Sequence, residues 1–484
     1  MSHSRPLTFR EAARGQRNLD AIARAVGDGR FAELHPHLVR LLARSADPDL
    51  ALNHLERVFG TPHGAAQLPA LLANSARGLD GLLQLLAVSQ FFADTFVTYP
   101  EAFDLIRAAP RRNPTTDELT AELKAITDAC SDDASTLLAF RRFRHLHMLR
   151  IGANDILRDR ALEEVTRELA RVADSSIKIA LATAMKSVGK RFGLPTAGGV
   201  PARIAGFAFG KLGGDELNYS SDIDLMFVYD REGETNKKSG AITNAEFYGR
   251  VVTELVRLLS CVTDRGFAYR VDLRLRPEGN AGPLARSLDS TVSYYDSRGR
   301  TWERQALIKL RPVAGDRDLR KEVMAAIEPF VYRKYFSFSE INEVKALKRK
   351  MEQHATRSGI DDTDVKTGRG GIRDVEYTVQ FLQLLNGGDL PAVRQRNTLL
   401  ALDALEIAGC LNPQETYLLS DAYRFLRRTE HRLQLLFDRQ THKLPTGVDD
   451  LRTLARRMGY GEAARHETRD AGQEKGERAD PPAL

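Results

Sequence analysis

Two aspartates separated by a single residue, Asp222 and Asp224, are the residues of this chain best suited to chemistry. They begin an apolar run, residues 222–229, that has the length and composition of a β-strand, and side chains two apart on a strand point to the same face. Like charges held this close repel each other, and such pairs persist mostly where a divalent cation neutralises them. The pair therefore predicts a Mg²⁺ site that handles phosphate. The alternative is a turn aspartate followed by a solvent-exposed strand aspartate, which would carry no chemistry.

A third carboxylate, Asp272, lies in a segment that alternates strictly between apolar and mostly charged residues. This segment, FAYRVDLRLRP (267–277), is predicted to form one strand. Its polar face carries Arg270, Asp272, Arg274 and Arg276. If the strand lies beside the first, three carboxylates can hold two Mg²⁺ ions about 4 Å apart, and the arginines suit phosphate oxygens. A solvent-facing strand would show the same alternation.

A glycine-rich turn separates residues 222–229 from an earlier apolar run, residues 204–209, which is also predicted to be a strand. Glycine lets the backbone approach a phosphate closely because no Cβ intervenes. A serine hydroxyl can donate a hydrogen bond to phosphate or cap the turn. The turn residues assigned to phosphate on these grounds are Gly210, Gly213, Gly214 and Ser221, with Ser220 as the alternative hydroxyl.

A second glycine-rich stretch, DVKTGRGGIRDVEYTVQFLQLL (364–385), carries three basic residues just before a predicted helix. Backbone N–H groups at such a turn, together with a helix N-terminus, can form an anion site. The residues of this possible second anion site are Lys366, Arg369, Gly370, Gly371 and Arg373. The alternative is an ordinary loop that enters a helix whose core face is Val375, Val379 and Leu382.

The rest of the chain is predicted to be mainly helical. The predicted regions are a helical region (1–150), a catalytic domain that contains the strands (151–320), a helical bundle (321–460) and a disordered tail without Val, Ile or Phe (461–484). Residues 287–316 are predicted to form one basic helix that carries Lys309 and Arg311. The predicted fold class is therefore α+β, a small mixed sheet embedded in a predominantly helical protein.

The composition of the 484 residues, 42% hydrophobic and 28% charged, is typical of a soluble globular protein. The formal charge of +6 is a mild excess over this length, and nucleic acid is not an expected partner. Three scattered cysteines do not indicate a disulfide framework or a zinc site. The N-terminus lacks the apolar core of a secretory signal, and no apolar run approaches membrane-spanning length. A cytoplasmic location without membrane contact is expected.

The arrangement of strand, glycine turn, S-D-x-D and strand resembles the DNA polymerase β-like nucleotidyltransferase superfamily. That superfamily has a Gly followed by Ser or Gly, a spacer, and then D-x-[DE]. In this chain Gly210 and Lys211 take the first position, with Lys where Ser is usual. The resemblance implies a small mixed-sheet core, and the departure replaces a hydroxyl with a cation at the phosphate.

A closer resemblance rests on several long motifs that occur in a fixed order. The motifs are GKLGGDELNYSSDIDLMF, YRVDLRLRPEGNAGPL, TWERQALIKLRPVAGD, KTGRGGIRDVEYTVQ, and EHRLQLLFDRQTHKLP with LARRMGY. Between about residues 75 and 460 they resemble the bifunctional glutamine synthetase adenylyltransferase/adenylyl-removing enzymes. Full-length members carry two nucleotidyltransferase domains: the amino-terminal one removes AMP from a tyrosine of glutamine synthetase by phosphorolysis, releasing ADP, and the carboxy-terminal one adds AMP from ATP.

This chain has one GKLGG…SDID set, which matches the amino-terminal half in position and in its flanking segments. A shortened gene or a reading-frame change is one expected origin of the single set. The resemblance implies Mg²⁺-dependent removal of AMP, with glutamine synthetase, a PII-type nitrogen signalling protein, phosphate and ATP/ADP as partners. It implies Asp222, Asp224 and Asp272 as metal ligands and catalytic residues, and Lys211, Gly213 and Gly214 as phosphate contacts. On the basis of their charge, the side chains expected to neutralise the phosphates are Arg274, Arg276, Lys309 and Arg311.

Three alternatives stay open at the level of sequence. The single domain could run in the forward direction and attach AMP from ATP, because phosphoryl-transfer chemistry is reversible. The chain could be a truncated paralogue that binds its partners without turnover. The superfamily also includes RNA-modifying members, for which strong, salt-dependent RNA binding would be the signature.

Overall fold

A computed structural model of the chain describes residues 7–73, 76–108, 113–333, 363–437 and 441–460, with the single residues 342 and 346. Its helices are, in chain order, α1 (Ala12–Val26), α2 (Asp28–Arg44), α3 (Pro48–Phe59), α4 (Pro62–Ala73), α5 (Ala76–Leu86), α6 (Gln90–Thr98), α7 (Ala102–Ala108), α8 (Thr116–Asp128), α9 (Asp133–Arg158), α10 (Leu162–Phe192), α11 (Gly210–Gly213), α12 (Asn244–Ser260), α13 (Leu288–Arg298), α14 (Thr301–Leu307), α15 (Arg317–Val331), α16 (Ile372–Asn386), α17 (Thr398–Ile407), α18 (Pro413–Phe437) and α19 (Val448–Arg457). The strands are β1 (Pro195–Ala197), β2 (Val200–Pro201), β3 (Ile204–Ala208), β4 (Ile223–Tyr229), β5 (Glu234–Thr235), β6 (Val271–Asp272), β7 (Ala285–Ser287) and β8 (Arg311–Gly315). The predicted fold class, α+β with small mixed sheets in a mostly helical chain, is confirmed.

The chain divides into two compact units that each draw on separate stretches of sequence. The first comprises Met1–Ala109, Gly152–Asp159 and Arg428–Leu484, and the second comprises Pro110–Ile151 and Arg160–Arg427. The predicted region limits at residues 150, 320 and 460 stay a prediction, and the predicted tail (461–484) lies outside the described residues. Within the described ranges, no helix combines the length and apolar character that crossing a bilayer requires.

The described part of the first unit is helical because its apolar residues recur at a helical period. In α2, for example, the buried side chains are Leu34, Leu38, Leu41 and Leu42. Asp47 caps the next helix, since its side chain accepts a hydrogen bond from the Leu50 backbone N–H at 3.1 Å. Pro48 stands at the first position of that helix, where a missing N–H costs nothing.

A mixed sheet in the order β6-β4-β3-β8, with β7 also paired to β4, forms the centre of the second unit. β3 and β4 are antiparallel, and their register runs from Ile204 opposite Tyr229 to Ala208 opposite Leu225. β6 and β7 are parallel to β4. All residues of β3 are buried, which shows that both faces of the sheet are covered. The two strands that the sequence predicts around the glycine turn are therefore present and adjacent.

The hydrophobic core on one side of this sheet joins β3 and β4 to α13, α14, α15 and α16. Its buried residues include Phe207, Phe209, Met226, Val228, Leu310, Leu319, Val323, Ile327 and Phe330. The last four lie on α15, where their spacing places them on one helical face. This packing holds the end of β3, and hence the start of the glycine turn, in a fixed position.

The strand predicted over residues 267–277 is wrong in extent, because only Val271–Asp272 is extended in a sheet. The Asp272 carboxylate accepts a hydrogen bond from the backbone N–H of Arg274 at 2.8 Å, which turns the chain away from β4. Pro277 then removes a further backbone donor. The strict alternation of the sequence therefore continues beyond the strand into a loop.

The single helix predicted over residues 287–316 is also wrong. These residues form the end of β7, then α13 and α14, then β8. Gly299 separates the two helices, and a Cβ there would lie 2.5 Å from the ring of Phe330. Pro312 disfavours helix at the end of the segment and is tolerated in β8 because β8 is an edge strand of this sheet.

Candidate active site

The pairing of β4 with β6 brings together the carboxylates that the sequence singles out. The two strands are parallel with Asp224 opposite Asp272, and Asp222 lies one residue before β4. Burial, reinforced by the negative charges of Asp272 and Asp222, raises the pKa of Asp224 to about 6. The charges of Asp272 and Asp222 thus lie close enough to affect the ionisation of Asp224.

Two arginines from the β6 segment bind the outer two carboxylates. The Nε of Arg270 donates to Oδ1 of Asp222 at 2.5 Å, and its Nη2 donates to the Ser220 carbonyl at 2.9 Å. Arg274 binds Asp272 through Nε at 2.8 Å and Nη2 at 2.5 Å. Although burial opposes it, this pairing lowers the pKa of Asp272.

Among the described residues, no group of three His, Cys, Asp or Glu side chains is arranged so that it could hold one metal ion. The donor set nevertheless suits Mg²⁺, because the three side chains offer carboxylate oxygens. Burial and the neighbouring negative charges together raise the pKa of Asp224, and a cation would relieve that repulsion. Two of the three carboxylates bind arginines in the structure, so a cation at the same oxygens would compete with a guanidinium group. Metal ligation by these three residues stays a prediction.

The glycine turn forms the short helix α11, and its first residue adjoins the central carboxylate. Gly210 has a φ of 55°, in the left-handed region that favours glycine. A Cβ at this position would lie 2.8 Å from Oδ2 of Asp224. The turn therefore needs glycine here because the carboxylate of Asp224 approaches the Gly210 backbone.

The other two glycines of the turn serve packing. A Cβ at Gly213 would lie 1.9 Å from the carbonyl oxygen of Lys309, and one at Gly214 would lie 2.9 Å from Oε1 of Glu216. Lys211 and Ser221 are half-buried. Phosphate contacts by these turn residues stay a prediction.

Arg276 binds the chain itself. Its guanidinium group donates to three backbone carbonyls of the loop after β6: Leu273 at 2.6 Å, Gly282 at 2.8 Å and Pro283 at 3.0 Å. The residue is buried. These contacts favour a structural role for Arg276 over the phosphate contact that the sequence predicts.

Arg311 and Lys309 are likewise engaged inside the protein. Arg311 donates to both carboxylate oxygens of Asp174, at 2.7 and 3.0 Å, and to the Leu212 carbonyl at 2.8 Å. Lys309 is buried against the carboxylate of Glu216 and lies 3.2 Å from Oε1 of Glu376. These ion pairs favour a structural role for both residues, in which they hold the glycine turn in place. The phosphate contact predicted for both residues stays a prediction.

A buried polar network around Glu216 is the feature that sequence reasoning missed. Besides Lys309, the Glu216 carboxylate accepts hydrogen bonds from the backbone N–H and the hydroxyl of Thr398, both at 3.1 Å. Arg427 donates to the Glu216 carbonyl at 2.5 Å and to Oδ1 of Asn218 at 2.6 Å. The network thus ties the turn before β4 to α17 and α18.

The only sequence signal for this network was Glu216 itself, which stands between Asp215 and Leu217 in GGDELNYSSD. The partners of Glu216 lie far along the chain, at positions where the sequence predicts ordinary helix residues. The predicted boundary at residue 320 falls between Lys309 and three residues of the network, Glu376, Thr398 and Arg427.

The second basic loop lies near the carboxylates, because the charge of Lys366 acts to lower the pKa of Asp224 against burial and the two neighbouring aspartates. Five of its backbone N–H groups donate within the segment. Asp364 Oδ1 accepts from the N–H groups of Lys366 and Thr367 at 2.9 and 2.8 Å, and the N–H groups of Gly368, Gly370 and Gly371 also donate inside the segment. A backbone anion cradle is therefore not favoured, whereas the side chains of Lys366, Arg369 and Arg373 remain candidates.

Comparisons with known proteins were consistent with this geometry. Residues 79–326 match the family model described as glutamate-ammonia ligase adenylyltransferase, and residues 345–475 match that described as GlnD PII-uridylyltransferase. Similar proteins are named bifunctional glutamine synthetase adenylyltransferase/adenylyl-removing enzyme. The one from Pseudomonas aeruginosa is 38% identical over 83% of this chain and 41% of its own length, and that from Hahella chejuensis is 37% identical over 78% and 40%.

A third relative, from Nitrosococcus oceani, is 40% identical over 68% of this chain and 34% of its own length. The chain therefore spans about two fifths of the length of the curated relatives it matches. The first family model covers half of the chain, including β3, β4, β6 and all three aspartates. The chain belongs to the glutamate-ammonia ligase adenylyltransferase family.

Proposed function

We propose that this chain removes AMP from adenylylated glutamine synthetase by Mg²⁺-dependent phosphorolysis and releases ADP. The observation that carries the proposal is the parallel pairing of Asp224 with Asp272, beside a glycine turn that abuts the Asp224 carboxylate. The removing direction is supported by the position of the motif set, whose flanking segments resemble the amino-terminal half of the family's longer members.

In this reaction an oxygen of inorganic phosphate attacks the AMP phosphorus. The bond from phosphorus to the tyrosyl oxygen breaks, the tyrosyl oxygen takes a proton, and the product of the new bond is ADP. Mg²⁺ bound by Asp222, Asp224 and Asp272 would supply charge neutralisation for the attacking and leaving oxygens. Positioning and electrostatic stabilisation are the protein's main contributions to such a transfer.

The side chains available to the phosphates are those that the structure places around the carboxylates. Arg274 is exposed over 70% of its side chain, and its guanidinium group already lies at Asp272. Lys366 is half-buried and adds a positive charge near Asp224. A guanidinium group can bind two phosphate oxygens, and an ammonium group adds a compact charge.

The test is incubation of the full chain with AMP-modified glutamine synthetase, Mg²⁺ and phosphate, followed by measurement of ADP. We expect ADP release from the parent protein and its loss in Asp222→Ala. Asp264→Asn is the matched control, because it removes an exposed carboxylate from a turn of the same unit. Unchanged ADP release by Asp222→Ala would contradict the proposed role of that carboxylate.

The same assay separates the other candidate activities. Incorporation of AMP from ATP into unmodified glutamine synthetase, without ADP release from the modified form, would assign the forward direction. Binding of glutamine synthetase by the chain, with neither ADP release nor AMP incorporation, would assign a non-catalytic role. A PII-type signalling protein is the proposed regulatory partner, and its addition to the assay should change the rate of ADP release.

A further inference from the structure

The arginines nearest the three carboxylates lie on the same short segment as Asp272. Arg270 precedes it by two residues and binds Asp222 across the strand pair, with 2.5 Å between Nε and Oδ1. Arg274 follows it by two residues and binds Asp272 itself. Oδ1 of Asp222 and both carboxylate oxygens of Asp272 therefore accept hydrogen bonds from a guanidinium group.

The electrostatic field of the site holds Arg274 in place. Its pKa is raised first by its hydrogen bonds with Asp272 and by the charge of that residue, and then by the charges of Asp224 and Asp222. Within the described part of the chain, every hydrogen bond of the Arg274 side chain goes to Asp272. The side chain is largely exposed, so it can leave this carboxylate without losing a packed position.

Arg270 is more firmly held. Besides Asp222, it binds the Ser220 carbonyl at 2.9 Å, and its guanidinium carbon lies 5.3 Å from the centre of the Phe267 ring. Breaking its pair with Asp222 leaves these two contacts available. The group therefore has an anchored position close to the carboxylates from which it can reach an anion.

We propose that Arg270 and Arg274 compete with divalent cations for Asp222 and Asp272, and that cation binding moves both guanidinium groups onto the phosphate oxygens of the substrate. This inference rests on the proposed function. A cation at the carboxylates removes their attraction for the arginines, and the released charges then favour phosphate. Cation and phosphate therefore bind with positive coupling, which is reciprocal by thermodynamic linkage.

The competition predicts opposite effects of one substitution on two ligands. Arg274→Met removes the competitor at Asp272. In the absence of phosphate, the full-length variant should therefore bind Mn²⁺, the probe cation, about two- to fivefold more tightly than the parent does. With saturating Mn²⁺, inorganic phosphate binds roughly tenfold more weakly, because a charged donor has been lost. Arg270→Met is expected to change both affinities in the same directions.

Free Mn²⁺ is followed by its paramagnetic resonance signal, and phosphate binding is followed by calorimetry. Arg257→Met is the matched control: Arg257 is 37% exposed against 38% for Arg270, it pairs with Asp133 and Glu254, and its loss changes the net charge equally. The control should bind both ligands as the parent does. Mn²⁺ affinity in Arg274→Met that equals or falls below that of the parent, or unchanged phosphate affinity, would overturn the proposal.

Asp224→Asn separates failure of this proposal from failure of the proposed function. If Asp224→Asn loses Mn²⁺ binding while Arg274→Met binds both ligands like the parent, the metal centre stands and only the competition is refuted. If Asp224→Asn binds Mn²⁺ like the parent, the metal centre of the proposed function is refuted, and the competition with it.

Discussion

Replacing Asp224 with Asn is expected to stabilise the protein at neutral and alkaline pH. The pKa of Asp224 is about 6 in the folded chain and 3.8 for an unperturbed carboxyl group. The difference is about 2 pKa units at about 1.4 kcal/mol each, so ionising Asp224 in the folded protein costs about 3 kcal/mol. Asparagine has a similar shape and does not ionise, so the variant avoids this cost.

The sign of the pH dependence follows from the raised pKa. Because the pKa of Asp224 is higher in the folded chain than in the unfolded chain, protonation of this carboxyl group favours the folded state. The contribution to the free energy of unfolding is complete below pH 3.8 and is lost as the pH rises through 6. The free energy of unfolding of Asp224→Asn minus that of the parent should therefore be near zero at about pH 4 and grow to about 3 kcal/mol by about pH 8.

Urea unfolding in the presence of a chelator, followed by the fluorescence of Trp302, measures this difference. Trp302 is the single tryptophan of the chain, and it lies on α14 in the same unit as Asp224. Asp264→Asn on its exposed turn is the control and should match the parent across the pH range. A variant that is no more stable than the parent at pH 8, or a difference that does not narrow towards acid pH, would refute the reasoning.

Three further substitutions test individual parts of the site. Gly210→Ala should lower the free energy of unfolding by about 1–3 kcal/mol, measured by Trp fluorescence, because its Cβ meets Asp224 at a positive φ; an unchanged midpoint would contradict this. Lys309→Met should lower the free energy of unfolding by about 3–5 kcal/mol, because it leaves buried carboxylates without their cation. Lys321→Met, which removes an exposed ion pair, should lower it by less than about 1 kcal/mol. Equal losses in the two variants would argue against the buried network. Arg276→Met should lower the melting temperature equally with and without phosphate, because the Arg276 guanidinium group binds backbone carbonyls. If the variant lost only the stabilisation that phosphate provides, Arg276 would be a phosphate ligand after all.

The central motif was predictable because its information is local. The strand, glycine turn and second strand follow one another in the sequence, so the neighbourhood of Asp222 and Asp224 follows from pattern alone. Asp272 needed one further assumption, that its segment lies beside β4, and the pairing of Asp224 with Asp272 confirms that assumption. The residue types and their alternation were sufficient for this much.

The extent of elements and the partners of charged residues were not predictable in the same way. The alternation in residues 267–277 indicated a long strand, but the Asp272 side chain captures the Arg274 N–H and ends it. Lys309 was assigned to phosphate from its charge. Its partners Glu216 and Glu376 lie 93 and 67 positions away, and no local pattern reveals such pairing. Tertiary contacts therefore overrode the simplest interpretation of these charges.

The contacts of Glu216 have a consequence for the order in which the chain folds during synthesis. Thr398 lies 182 positions after Glu216 and Arg427 lies 211 positions after it. The turn before β4 therefore lacks its full set of partners until more than 200 later residues have been synthesised. Long-range closures of this kind slow folding, and an incomplete buried charge cluster exposes a nascent chain to misfolding. A recombinant catalytic fragment that ends before Thr398 would keep all three aspartates but lack both Thr398 and Arg427, which bind Glu216 in this turn.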